Sequence, residues 1–285
     1  MTINPNFITY LNSRQYSNNT IESYSKTIED FLNFVNKPEN EVNPFDVMNW
    51  MTEIGKTLSA SSVCLKLSSI KTYFDFLATF GLIEKDPTMK IKSPKKHNKP
   101  KHYMNVQMVH DMIDSCKNNR DKAIITTFAL TGMRVSELTE LTLQQYQDMK
   151  ARGDNQILII GKGNKERYIV FNAEVQMAID NYLCTWLEPR NCDKLFLSFW
   201  GNEIARNNLN GTLKSVAKDA GIPFWKDVSN HALRSACASI YAESGMPVAN
   251  IRDMLGHESI ATTSRYIKAS QSVTSQAVLN MNIAI

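Results

Sequence analysis

A chain of 285 residues with 32 Lys and Arg against 28 Asp and Glu is long enough for two compact cores and, at a formal +4, only mildly basic. Its five cysteines, odd in number and without a CxxC pair, exclude a disulfide scaffold or zinc-finger framework and are expected to be reduced thiols. The opening MTINPNFITYLNS lacks a leader pattern and no stretch reaches the roughly 18 apolar residues of a membrane span, so a soluble cytoplasmic protein with no membrane partner is expected.

Residues 1 to about 84 carry helical periodicity. Asn18-Asn19-Thr20 offers caps to a helix with Ile21, Tyr24, Ile28, Phe31 and Val35 on one face. Asn43-Pro44 is a cap followed by proline at a first helical position, and Val47, Trp50, Met51 and Ile54 continue that stripe. Ser59 caps a third expected helix carrying Val63, Leu67, Ile70, Phe74 and Leu77, closed by Gly81. Dense apolar positions and scarce glycine predict a small helical domain over 1–90.

The next stretch, DPTMKIKSPKKHNKPKHYM, has three prolines and belongs to a run of seven lysines (85, 90, 92, 95, 96, 99, 101) against the single acid Asp86. Prolines disfavour helix and lysines repel one another, so residues 91–103 are expected to form an extended linker. A solvated hinge is the plain interpretation. A strand lying along phosphates is the sharper interpretation, with Lys92, Lys95, Lys96, Lys99 and Lys101 as its expected contacts.

From 104 to 285 helical patterns recur at Val106–Cys116, Arg120–Leu130, Ala173–Leu187, Arg206–Ala220, His231–Ser244, Val248–Leu255 and Ile260–Ile267. The one β signal is QILIIG, then GKGNKE, then RYIVF, two apolar runs around a Gly-rich turn. The tail SVTSQAVLNMNIAI is weakly amphipathic. A mainly α chain with one small antiparallel sheet follows.

Six polar residues carry the chemistry. Arg134 stands in TGMRVSEL just past a glycine stop, where a guanidinium can offer a two-pronged fork to phosphate oxygens or pair with Glu137 one turn on. Lys162 sits in the hairpin turn of IIGKGNKERYIV, as does Lys165. A turn lysine is usually solvated, but one at a hairpin tip can reach into a cleft and protonate a leaving oxygen. GKGNKE lacks the spacing of a phosphate-cradling P-loop and runs into a strand, not a helix. His231 and Arg234 of NHALRSA share a helix face. His257 follows Leu255-Gly256 at a helix end, and Tyr266 comes nine positions later in LGHESIATTSRYI. A phenol with a pKa of about 10 needs a cationic pocket or a base to attack at neutral pH.

In this order and with these flanks, the set R…K…HxxR…H…Y resembles the catalytic signature of the tyrosine recombinases, the integrase and Xer-type enzymes. The resemblance is loose before residue 100 and specific after 128. It implies a helical core-site DNA-binding domain, SAM-like, joined to a catalytic domain over 104–285. It also implies that Tyr266 is the nucleophile forming a 3′-phosphotyrosine, that Arg134, Arg234 and His257 bind the scissile phosphate, and that Lys162 is the general acid, with Lys165 its nearby competitor. His231 becomes a proton acceptor near the tyrosine hydroxyl, and Glu137 steadies the site from behind Arg134. The commonest family form has a histidine after the HxxR arginine, where this chain has Ser235. The expected partner is double-stranded DNA with an inverted-repeat core site, bound by a homotetramer passing through a Holliday junction.

Docking through Val273, Ala277, Val278 and Met281 of the tail, with a partner recombinase or accessory protein, is part of the same expectation. No metal or other cofactor is called for, because side chains supply every donor. The short stretch before Asn18 leaves no room for an arm-binding domain and favours a compact resolvase or transposon-type enzyme over a phage-type integrase. Two alternatives stand beside it: a type IB topoisomerase-like relaxing enzyme, and a catalytically silent DNA-binding regulator of the same fold.

Overall fold

The structure, a computed structural model, describes residues 3–95, 102–161 and 166–256. The chain divides into two compact units, Met1–Pro100 and Lys101–Ile285.

The first unit is built from α1 (Pro5–Ser13), α2 (Asn18–Val35), α3 (Pro44–Gly55) and α4 (Ala60–Thr79). Each start is fixed by a side chain that accepts an otherwise orphaned backbone N–H. Ser17, one residue before the expected cap, accepts from Thr20, and Ser59 accepts from Ser62. Asn43 and Asp46 cap reciprocally around Pro44. Periodicity alone does not single out α1, although Asn4-Pro5 is the same cap-and-proline pair that opens α3.

The apolar stripes of these helices meet in one core of Phe7, Leu11, Ile28, Phe31, Trp50, Leu67, Phe74 and Leu77, among others. Phe31 stands edge-on to Trp50 at 5.3 Å and to Phe74 at 5.9 Å between ring centroids, a favoured aromatic geometry. Ile91, expected at the start of the linker, packs into this core, and its carbonyl accepts a 2.6 Å hydrogen bond from Lys71 Nζ. Lys92 and Lys95 are exposed.

The second unit contains α5 (Val106–Asp114), α6 (Asn119–Thr131), α7 (Val135–Glu140), α8 (Leu143–Ala151), β1 (Gln156–Ile160), β2 (Glu166–Val170), α9 (Ala173–Thr185), α10 (Arg206–Asp219), α11 (Asn230–Glu243) and α12 (Val248–Leu255). The strands pair antiparallel with Gln156 opposite Val170 and Ile160 opposite Glu166. The central helix is α6, buried almost all round and packed against α9 and α11. Sequence periodicity does not separate α7 and α8: α7 has only six residues, and α8 buries only Tyr146 and Met149. His102 lies flat on Phe224, ring centroids 4.8 Å apart and planes within 9°.

All five cysteines are free thiols. Among the described residues no helix is long and apolar enough to cross a membrane. The expected helix 260–267 and the tail lie outside the described residues, as do Lys96, Lys99 and Lys101.

Candidate active site

The site is assembled where three helix ends converge. Helix α6 stops at Gly132, whose φ of +61° is a left-handed cap that glycine adopts without strain. A Cβ there would overlap Leu255 Cδ2 of α12 and stand 3.0 Å from Cys237 Sγ of α11, so the absence of a side chain lets the ends of α6 and α12 close up against α11. Two residues on, Arg134 is extended and serves as the N-cap of α7.

Glu137, in the first turn of α7, is the electrostatic hub. Its carboxylate accepts the Arg134 backbone N–H at 2.6 Å and Arg134 Nη1 at 2.8 Å. From the other side it accepts Nη1 and Nη2 of Arg167 on β2, at 2.8 and 2.7 Å. Burial works against its ionisation, but the Arg134 N–H and the guanidiniums of Arg167 and Arg134 outweigh it and hold the carboxyl below its ordinary range. Arg134 therefore does form the local pair with Glu137, and its second fork atom, Nη2, donates to the Gly256 carbonyl at 2.8 Å. About a third of its side chain stays exposed, at 32 %.

Arg234 approaches the same point from the first turns of α11. Its Nη1 donates to the Gly132 carbonyl and its Nη2 to the Leu255 carbonyl. The carbonyls at the two helix C-termini carry partial negative charge, which suits a guanidinium. Burial, then repulsion from Arg134 and Arg167, pulls its pKa down to about 10, so it stays a cation at neutral pH.

Of the sequence-predicted residues, Arg134, Glu137 and Arg234 are thus brought together directly. His231 lies one turn before Arg234 on the exposed side of α11, and Ser235 donates its hydroxyl to the His231 carbonyl at 2.8 Å. Lys162, Lys165, His257 and Tyr266 lie outside the described residues. The described chain reaches Gly256, the residue before His257, and its carbonyl is already tied to Arg134.

Arg167 was missed in the sequence. Its signal was available: β2 alternates outward and inward, and Arg167 shares the inward set with Ile169. An arginine on the buried face of a strand calls for a partner. Among the described residues there is no group of three or more His, Cys, Asp or Glu side chains that could hold a metal ion.

Comparison with known proteins gives the class. The model of the Phage integrase family matches residues 102–272, and that of the Phage integrase N-terminal SAM-like domain matches residues 5–81. The chain belongs to the phage integrase family, the tyrosine recombinases, and is accordingly a site-specific recombinase that transfers DNA strands.

Its relatives include tyrosine recombinase XerD of Rickettsia conorii, 30% identical over 290 residues with 94% of each chain covered. Tyrosine recombinase XerC of Lactobacillus delbrueckii subsp. bulgaricus is 29% identical over 287 residues, covering 95% of each. The fold matches a solved lambda integrase (75-356) dimer bound to a COC′ core site, with TM-score 0.74, 16% identity, and 93% of this chain and 94% of that one covered. It also matches the Tn1549 transposon integrase in complex with a circular intermediate DNA, with TM-score 0.69, 18% identity, and 96% and 99% covered.

Proposed function

We propose that this recombinase cleaves and rejoins double-stranded DNA at inverted-repeat core sites through a 3′-phosphotyrosine. Tyr266 Oη attacks the scissile phosphorus as His231 takes its proton. The bond from phosphorus to the 5′-oxygen breaks, and Lys162 protonates the departing oxygen. Arg134, Arg234 and His257 hold the negative charge that builds on the non-bridging oxygens. A 5′-hydroxyl from the partner duplex then attacks the phosphotyrosine and returns the tyrosine. One phosphodiester is exchanged for another, so no energy source is consumed.

The observation that carries this reading is the convergence of Arg134 and Arg234 on the Gly256 and Leu255 carbonyls, beside a single carboxylate. Two guanidiniums pair with one acid and a third, Arg234, rests on carbonyls beside them, which leaves surplus positive charge for a phosphate. The solved neighbours bound to core-site or circular-intermediate DNA support a duplex partner. The Met1–Pro100 unit binds the core half-site together with the catalytic unit, with Lys92, Lys95, Lys96, Lys99, Lys101 and Lys165 on phosphates.

A homotetramer joined through residues 270–285 brings two sites through a four-way junction, alone or with a partner recombinase or accessory protein. Deleting 270–285 weakens cooperative assembly on DNA without abolishing half-site binding. Cooperativity that survives the deletion removes the tail from this role.

The test uses nicked suicide duplexes that carry candidate inverted repeats from DNA flanking the gene. The expected result is a covalent protein–DNA adduct on a denaturing gel with wild type and none with Tyr266→Phe. An adduct persisting in Tyr266→Phe rules out this nucleophile. DNA bound equally by both proteins, with no adduct from either, supports a silent binding protein. Relaxation of supercoils by a monomer, without partner exchange, supports the topoisomerase-like alternative.

A further inference from the structure

We infer that Arg167 is a positioning residue for strand cleavage: its two-pronged grip on Glu137 fixes the fork of Arg134 against the scissile phosphate. The inference rests on the tyrosine-recombinase chemistry proposed above and adds to it a residue outside the six-residue signature.

Four observations carry it. Arg167 points inward from β2 with only 11 % of its side chain exposed, which is unusual for a cation without a structural or functional reason. Its Nη1 and Nη2 meet the two oxygens of Glu137 in the parallel geometry that locks both groups in orientation as well as distance. Those same oxygens receive Nη1 and the backbone N–H of Arg134, one on each. The same guanidinium fills the space beside Gly256, where an added Cβ would stand 2.9 Å from Nη1 and 3.1 Å from Cδ. Arg167 thus binds one group that accepts a hydrogen bond from the Arg134 fork, the Glu137 carboxylate, and lies beside the residue that supplies the other, Gly256.

A device for stability alone would not be built this way. One arginine already neutralises Glu137, and the second repels both the first and Arg234. Among the described residues Arg167 Nε has no hydrogen-bond partner, so the side chain is oriented by the Glu137 grip and by packing. What the second arginine adds is orientation. With Arg167 gone, half of Glu137's bonds disappear and the carboxylate can swing, taking with it an Arg134 side chain that is partly exposed and otherwise held by one carbonyl.

The test measures single-turnover adduct formation on the suicide duplex, with DNA affinity and thermal unfolding followed in parallel. Arg167→Ala is expected to slow cleavage about 10- to 100-fold, the range seen when the supports of functional groups are removed. DNA affinity should change by less than about twofold, because the lost interaction acts on the transition state. Arg167→Lys keeps the charge but not the fork and should stay slow. In a Glu137→Gln background, Arg167→Ala should add little further loss, since both act along one route.

On a duplex with sulfur replacing the 5′-bridging oxygen, whose departure needs no proton, the deficit should persist. A deficit erased by sulfur assigns Arg167 to the hairpin lysine instead and overturns the route through Glu137. A fully active Arg167→Lys, an equal loss in both backgrounds, or a loss that simply tracks unfolding also overturns it. Should Arg167→Ala fail to fold, Arg167→Lys and its Glu137→Gln double variant distinguish the same outcomes. Failure of the underlying chemistry is separable, because it would appear as an adduct that survives Tyr266→Phe in the wild-type background.

Discussion

The two units solve the problem of an interior differently. Among the described residues of Met1–Pro100 the buried polar side chains are the hydroxyls of Thr27, Ser69 and Thr88, set among aromatic and aliphatic side chains that interlock. In Lys101–Ile285 the buried set includes Arg120, Asp121, Glu137 and Arg234. The first interior rests mainly on shape, because its apolar side chains carry no charge for pH to titrate or salt to screen. The second must hold ionised groups out of water, which costs stability unless each is met by a partner of opposite sign or by carbonyls. That cost falls in the second unit. A buried charge cluster in one unit, set against the hydroxyls of the other, is where the proposed chemistry and the proposed DNA grip part company.

Four experiments sharpen or break that contrast. Phe74→Ala in the first unit should lower unfolding free energy by about 3–5 kcal/mol, equally at pH 7 and pH 4 and at low or high salt. A marked pH or salt dependence would show that its core is not the neutral one described.

Glu137→Gln in the second unit should cost about 3 kcal/mol at pH 7, since it leaves buried guanidiniums without their carboxylate. The carboxyl is held below its ordinary 4.5, so its contribution is complete above that value and is lost as pH falls through the lower folded value. Urea titrations of wild type and Glu137→Gln should therefore converge below pH 4.5, whereas a constant gap would mean the carboxylate does not act through its charge.

Gly132→Ala forces a Cβ onto Leu255 at a left-handed φ and should cost about 1–3 kcal/mol, with a matching loss of cleavage. Unchanged cleavage would show that the close approach of α6 to α12 is not what sets the site. The smallest effect belongs to the exposed pair Lys117–Asp219, 2.7 Å apart with Lys117 at 78 % exposure. Lys117→Ala should change stability by less than about 1 kcal/mol in thermal denaturation. A larger change would mean that charges outside the buried cluster matter as much as those within it.

Much of this was legible in the sequence, and the exceptions share a cause. Long helices with regular stripes, such as α2, α4 and α11, were placed to within a few residues because burial of one face imposes its period on the chain. The short α7 lacks enough turns to show a period, and α8 hides its two buried residues among polar ones. Arg134 and Arg234 announced themselves through their flanks, which are the packing that brings the helix ends together: Gly132 under Leu255, and Cys237 beside both. Arg167 is marked in the sequence only by its inward register on β2; that the partner it calls for is Glu137, 30 residues away, is a fact of hairpin geometry that local sequence does not contain.

The pairing of two guanidiniums with one buried carboxylate, with a third cation held beside them on carbonyls, has a consequence for anyone seeking a hardier version of this enzyme. Selection for heat resistance alone would reward a new Asp or Glu beside Arg134, since it would offset the repulsion that Arg134 and Arg167 exert on Arg234. Under the proposed chemistry such a variant would carry its own counterion where the scissile phosphate binds. It is then expected to survive heating and lose cleavage, so thermostability screens should be confined to Met1–Pro100 or paired with a selection for recombination.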